Sequence, residues 1–343
     1  MLLHEQEIAR ACTTLSVVVP VFNEQEVLDE FHRRLAAVLD ALNLRTQVIY
    51  VNDGSTDGTL DAIRHLAEHD ARVLLVDLSR NFGKEIALTA GLDHADADAV
   101  VVIDADLQDP PELIPELVEQ WLDGYDVVYA KRTCRDGESA AKKLTAFLFY
   151  RLMQKMSRVR IPEDTGDFRL LSRRAVHAVC QMREQHRFMK GLFAWIGFAQ
   201  KAVPYRRAPR HAGVTKWNYW KLWNFALEGI TSFSCVPLKV ATYVGLASAA
   251  GAFGYGVYIV LRTLIMGNAV AGYPSLLTAV MFLGGLQLLS IGVIGEYLAR
   301  MFDESKQRPL YFLNDGQPRN GARAAMLAWD DHAIRERRAG ETI

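Results

Sequence analysis

The stretch AVVVIDADLQDPPELIPE, residues 99–116, opens with five apolar residues and then sets Asp104, Asp106 and Asp109 almost side by side. Its Val/Ile half has the make-up of a strand buried on both faces, which is the character of a parallel sheet covered by helices. The same unit repeats on either side. LSVVVPVF (15–22) leads to a helix from about Glu24, and QVIYVND (47–53) to a helix from about Asp57. VLLVDLS (73–79) precedes a helix from about Lys84, AVVVID a helix from about Pro111, and DVVYAKR (126–132) closes the series. Apolar strands alternating with helical segments predict an α/β fold with a mainly parallel, Rossmann-like sheet. Ligands of such sheets gather beyond the carboxyl ends of the strands. The polar strand ends PVFNE, NDGSTDG, DADLQD and AKR therefore share one crevice. No GxGxxG follows the first strand and no GxxxxGK[ST] occurs, which excludes the dinucleotide fingerprint and the P-loop.

Charge and composition exclude other classes. With 39 Lys and Arg against 40 Asp and Glu in 343 residues, nothing points to a nucleic-acid partner. Cys12, Cys134, Cys180 and Cys235 show no CxxC or Cys/His spacing, which fits a reducing compartment. The N-terminal residues contain no apolar h-region, so no signal peptide is expected. No charged residue lies between Lys239 and Arg262, nor between Arg262 and Glu296. Each window accommodates the roughly 20 apolar residues of a bilayer-spanning helix, and the spans are placed at about 238–261 and 274–298.

Lys216, Lys221 and Lys239 precede the first span, and Arg300, Lys306 and Arg308 follow the second, which sets both termini on the cytoplasmic side. TKWNYWKLWNFALEGITSFS (215–234) carries Trp217, Tyr219, Trp220 and Trp223 and reads as an interfacial helix at headgroup depth. The expected divisions are a catalytic domain at 1–212, interfacial helices at 213–236, the two spans within 237–300 and a tail at 301–343. The polar tail from about Phe302 is a surface helix or disordered. Ala247 and Gly251, four apart, permit close helix contact, and a homo-oligomer is expected.

At the strand ends, Asp104 and Asp106 point the same way from extended backbone and can hold one hard cation, with Gln108 as a third oxygen donor. Without a cation the two carboxylates would repel. Asp109 reads as a cap before the helix that Pro110 and Pro111 start. Asp53 can accept hydrogen bonds from a base or ribose. Asn23 and Glu24 are either helix caps or part of the crevice. The nine histidines show no metal-binding spacing.

SVVVPVFNE, VNDGSTDGT, SRNFGKEIALTAGL, DADLQDPPE and TGDFRLLSRRAV, in this order and followed by two spans, resemble the polyprenyl-phosphate glycosyltransferases of the inverting, GT-A-fold class. The likeness covers about residues 15–310 and is greatest to bactoprenol glucosyltransferases, relatives of dolichol-phosphate mannose synthase. The resemblance implies that Pro20, Asn23, Glu24, Asp53, Lys84 and Asp104 bind the nucleotide. It implies that Asp104, Asp106 and Gln108 hold Mg²⁺ or Mn²⁺, and that Asp106, Asp167 and Arg132 are catalytic. Arg132, Arg169, Arg210 and Lys216 would meet the lipid phosphate, with Lys142 and Lys143 as helpers.

The implied reaction moves glucose from UDP-glucose to undecaprenyl or another polyprenyl phosphate, with inversion, at the bacterial inner membrane. GDP-mannose, UDP-N-acetylglucosamine and a modified arabinose are alternative donors. A processive synthase would carry a QxxRW motif, which is absent. A non-catalytic nucleotide-sugar-binding scaffold would have lost the carboxylates of DAD.

Overall fold

A computed structural model describes residues 13–133, 165–205, 236–266 and 272–314. Arg210, Lys216, Lys142, Lys143 and the aromatic segment at 215–234 lie outside the described residues.

The order of elements is β1 (Thr14–Val21), α1 (Gln25–Ala41), β2 (Arg45–Asn52), α2 (Thr59–His69), β3 (Val73–Asp77), α3 (Lys84–Asp93) and β4 (Ala99–Val102). A single 3-10 turn at Pro111–Leu113 then leads into α4 (Ile114–Leu122) and β5 (Val127–Arg132). β6 (Thr165–Ser172), α5 (Arg173–Gln181), α6 (Met189–Trp195) and β7 (Gln200–Tyr205) complete the domain. One sheet runs in the order β3-β2-β1-β4-β6-β5-β7. β1 pairs in parallel with β2 and β4, β2 with β3, and β5 with β7, while β6 lies antiparallel to both β4 and β5.

The expected strands form, and two more join them. All eight residues of β6, TGDFRLLS, are buried although they include Asp167 and Arg169. β7, QKAVPY, contains Pro204 and takes the edge, where a missing N–H breaks no ladder on the outer side.

The period-2 alternation of the strands divides the core into two layers. Val17, Val19 and Val101 pack with Phe31 and Leu35 on one face. Val18, Val100 and Val102 pack with Leu88 and Val176 on the other. α1 meets the first layer through Val27, Leu28, Phe31, Leu35 and Leu39, spaced for one helical face. α3 lies so close to the second that a Cβ on Gly91 would stand 2.2 Å from Val18 Cγ1.

α7 (Val236–Met266) and α8 (Tyr273–Ser305) are 31 and 33 residues long, so both overrun the expected spans. Both are long and apolar enough to cross a membrane, and neither apolar window is buried inside the protein. Of the tail from Phe302, residues up to 314 are described. α8 continues through Phe302 to Ser305, and the chain beyond it docks on the catalytic domain, where Leu313 forms an antiparallel bridge with Leu78.

Candidate active site

Several chain segments meet at the carboxyl end of the sheet. β1 is followed by Phe22 and Asn23, and Asn23 adopts φ 55°, a left-handed conformation that asparagine tolerates better than most residues. Its Oδ1 accepts the Thr56 N–H at 2.8 Å, and its own N–H donates to Ser55 Oγ at 3.1 Å. Glu24 takes the N-cap position of α1 without a side-chain cap, and its N–H donates to Thr59 Oγ1 at 3.0 Å. Asn23 and Glu24 thus join the first strand end to the second, beside half-buried Pro20.

Asp53, 3% exposed, directly follows β2. Its Oδ1 accepts the Phe82 N–H at 2.7 Å and its Oδ2 the Gly83 N–H at 3.0 Å. Burial pushes this carboxyl up, and the two backbone donors act against the rise. In this structure Asp53 shapes the loop before α3. Gly54 must be glycine: at φ 63° a Cβ would lie 2.4 Å from the carbonyl carbon of Arg80.

That loop delivers Lys84, the first residue of α3, to the centre of the site. Lys84 Nζ donates to Asp104 Oδ2 at 2.7 Å and to Asp167 Oδ2 at 2.6 Å. Burial works against the ammonium, but the two carboxylates outweigh it and raise its pKa, so it remains a cation. Solvent still reaches 44% of the Lys84 side chain, which partly screens the attraction. Burial raises the Asp104 carboxyl despite Lys84. For Asp167, burial is outweighed by Lys84 and Lys190, which hold its carboxyl well below the usual range. Asp167 Oδ1 is buried and has no hydrogen-bond partner among the described residues.

After β4 the exposure alternates: Asp104, Asp106 and Gln108 are half-buried, and Ala105, Leu107 and Asp109 are buried. The strand stops at Val102 and residues 105–109 form a turn, so the three predicted oxygen donors do not leave on extended backbone as expected; they are the more exposed side chains of that turn. Leu107 at φ 58° ends the run, and Asp106 Oδ1 accepts the Gln108 N–H at 3.1 Å. Two carboxylates and an amide oxygen form a hard donor set of the kind that holds Mg²⁺ or Mn²⁺ together with substrate phosphates. Among the described residues no three His, Cys, Asp or Glu side chains converge as a self-sufficient metal cage. The donor set fits a cation shared with a diphosphate better than a structural ion.

Two further expectations need correction. The residue capping the turn at Pro111 is Pro110, with no side-chain bond, whereas Asp109 is 1% exposed and accepts the Tyr205 hydroxyl proton. Arg132 Nε donates to the same Tyr205 oxygen at 3.3 Å, so Asp109 and Tyr205 buttress Arg132. Gly166 leaves room for it, since a Cβ there would meet Arg132 Nη2 at 3.1 Å. Arg169 does not reach out to an acceptor. It is 4% exposed, donates to the carbonyls of Asp167 and Gly166 at 3.2 and 2.9 Å, and lies 4.1 Å over the Phe193 ring. Burial lowers its pKa to about 10, and it underpins the start of β6, which carries Asp167.

Glu85, Lys190 and Tyr205 escaped the sequence reading. Glu85 Oε2 accepts the Met189 N–H at 2.9 Å and ties α6 to α3. Burial, then the charge of Asp167, lift Glu85 to about 7. Glu85 lay inside a quoted motif, but neither Lys190 nor Tyr205 carries a local signal.

A mainly parallel sheet with one reversed strand, and an acidic cluster beyond its central strand, is the GT-A glycosyltransferase architecture. Residues 16–180 match the family described as glycosyl transferase family 2, and residues 236–301 match the GtrB C-terminal hairpin. An uncharacterized glycosyltransferase of Synechocystis sp. is 52% identical over 301 residues, covering 88% of this chain and 95% of the relative. A prophage bactoprenol glucosyl transferase homolog of Escherichia coli K12 is 50% identical, with 87% and 98% covered. The bactoprenol glucosyl transferase of Shigella phage SfV is 49% identical, with 88% and 98% covered. The chain belongs to glycosyl transferase family 2, as a membrane-associated member whose catalytic domain is followed by a GtrB-type hairpin.

Proposed function

We propose that this enzyme transfers glucose from UDP-glucose to undecaprenyl phosphate or a similar polyprenyl phosphate, with inversion at the anomeric carbon. The observation that carries the reading is the Lys84 bridge between Asp104 and Asp167, at the strand ends where a donor binds. The names of the relatives at about half identity supply the sugar and the lipid.

A polyprenyl phosphate is a monoester whose second ionisation falls near pH 6, so at neutral pH it is already an anionic nucleophile. No general base is required. One phosphate oxygen bonds to the anomeric carbon as the bond from that carbon to the diphosphate breaks, and the electron pair leaves with UDP. An α-linked donor gives a β-linked product. Lys84 places a positive charge where charge builds on the leaving group. Arg132, backed by Tyr205 and Asp109, is set to receive the acceptor phosphate, and Arg210 and Lys216, outside the described residues, are assigned to the same phosphate. Asp167 stays ionised and offers Oδ1 to sugar hydroxyls. Pro20, Asn23, Glu24 and Asp53 form the nucleoside end. Asp104, Asp106 and Gln108 would hold Mg²⁺ or Mn²⁺, which supplies Lewis-acid stabilisation of the departing diphosphate.

The hairpin sets this crevice at the cytoplasmic face of the inner membrane, with both termini cytoplasmic, the segment at 213–236 at headgroup depth and the protein assembled as a homo-oligomer. The test is a panel of labelled nucleotide-sugars offered to membranes containing the protein, undecaprenyl phosphate and Mg²⁺ or Mn²⁺. Lipid-linked label from UDP-glucose, lost in Asp106→Ala, is the expected result. No lipid-linked product from any donor would overturn the reading, and full activity in Asp106→Ala would remove the metal role.

A further inference from the structure

The chain beyond the hairpin lies outside both family matches, which end at residues 180 and 301, yet it is bonded into the catalytic domain. At the end of α8, Glu304 Oε1 accepts the Gln185 N–H at 2.7 Å and Asp303 Oδ2 faces His186 Nε2 at 3.2 Å. Tyr311 then donates its hydroxyl to Asp93 Oδ2 at 3.0 Å, on the last residue of α3. The Phe312 carbonyl accepts the Ser79 N–H at 2.9 Å, and the Asn314 N–H donates to the Asp77 carbonyl at 2.9 Å. This strap covers the sheet edge at the end of β3.

Within it, Asn314 reaches the buried polar network beneath the nucleotide end of the site. Asp77 is 5% exposed, and two amides fill its carboxylate: Asn52 Nδ2 donates to Oδ1 at 2.7 Å and Asn314 Nδ2 to Oδ2 at 2.9 Å. Asn52 precedes Asp53, and its Oδ1 accepts the Ser55 N–H at 3.1 Å. The segment 77–84 is therefore held from two sides. The strap fixes Asp77, Leu78 and Ser79, and Asp53 fixes Phe82 and Gly83, immediately before Lys84.

We propose that residues 312–314 are a positioning element of the donor site, with Asn314 as the positioning residue that sets Asp77 and, through the 79–83 segment, Asp53 and Lys84. The strap also makes the membrane hairpin and the donor site one mechanical unit, since it begins at the end of α8. The role in donor binding rests on the glycosyltransferase reading, while the hold on 79–83 does not.

The experiment uses the full chain in detergent or nanodiscs, with Asn314→Ala, the isosteric Asn314→Asp and, as a control, Tyr311→Phe. Losing the donated bond is expected to raise the donor KM about fivefold in Asn314→Ala, and more in Asn314→Asp, where a second carboxylate faces Asp77, with kcat changed less than about twofold. Amide exchange in the peptide spanning Phe82 and Gly83 should quicken in both Asn314 variants and stay at the parent rate in Tyr311→Phe. A lowered melting temperature with unchanged exchange at Phe82 and Gly83 and unchanged donor KM would reduce the strap to a structural clamp and overturn the proposal. If the parent protein uses no donor, the glycosyltransferase reading fails, and the exchange arm still decides the strap.

Discussion

Gly91→Ala tests whether the contact between α3 and the sheet sets the position of the site. A Cβ at this position would stand 2.2 Å from Val18 Cγ1 and 3.0 Å from Val51 Cγ2. Carbon atoms in contact prefer about 3.5–4.0 Å, so α3 must lift by roughly 1 Å or more, or Val18 must turn. Val18 and Val51 are both fully buried, and their β-branched side chains have few rotamers to offer. Alanine in a helix interior would gain roughly 0.5–1 kcal/mol over glycine, whereas overpacking a closed core costs about 1–3 kcal/mol. A contact this short belongs at the upper end of that cost, so a net loss of about 2 kcal/mol is expected.

The assay is the denaturation midpoint of the parent, Gly91→Ala, Val18→Ala and the double variant. Val18→Ala removes the clashing methyl, so the double variant should be more stable than the sum of the single changes by at least about 1 kcal/mol. Transfer activity should follow the same order, because Lys84 begins the displaced helix. Gly91→Ala as stable as the parent, or additivity within about 0.3 kcal/mol, would refute the reasoning.

Lys84→Met leaves Asp104 and Asp167 without the ammonium between them and should lower kcat by roughly 100-fold or more. A loss under about threefold in steady-state transfer would show that this charge is not at the reacting end of the donor. Glu85, ordinarily near 4.5, is lifted to about 7, so the folded protein binds its proton more tightly than the unfolded chain does. Its charging therefore erodes stability as pH rises from about 5 towards 8, and Glu85→Gln, which can still accept the Met189 N–H, should flatten that slope. Parallel pH profiles of the denaturation midpoint in the parent and Glu85→Gln would contradict this assignment.

Local chemistry was enough for the first five strands and for the membrane hairpin. A strand buried on both faces leaves a run such as AVVVI, and a bilayer leaves long windows without charge. Asp104, Asp106 and Gln108 were legible as oxygen donors after β4, but the turn over 105–109 that carries them was not, because a run leaving a strand reads as extended until a left-handed residue such as Leu107 bends it. β6 was not legible as a strand. Gly166, Asp167 and Arg169 break the apolar pattern, and Arg169 is tolerable in the core only because two carbonyls and the Phe193 ring receive its guanidinium. The cap assigned to Asp109 failed for a similar reason. Pro110 and Pro111 start the turn unaided, and the carboxylate was taken by Tyr205, 96 residues away.

The sequence by itself determined the class of sheet, the acidic cluster that ends its central strand and the two apolar helices, since each is written in residue spacing along a continuous segment. Only the tertiary structure decided what that cluster faces. Reversing β6 between β4 and β5 brings Asp167 to Lys84 across 83 residues, and docking the tail brings Asn314 to Asp77 across 237. Neither pairing has a local period to announce it. Both arise because burying these strands and edges leaves polar groups that must find partners wherever the chain supplies them.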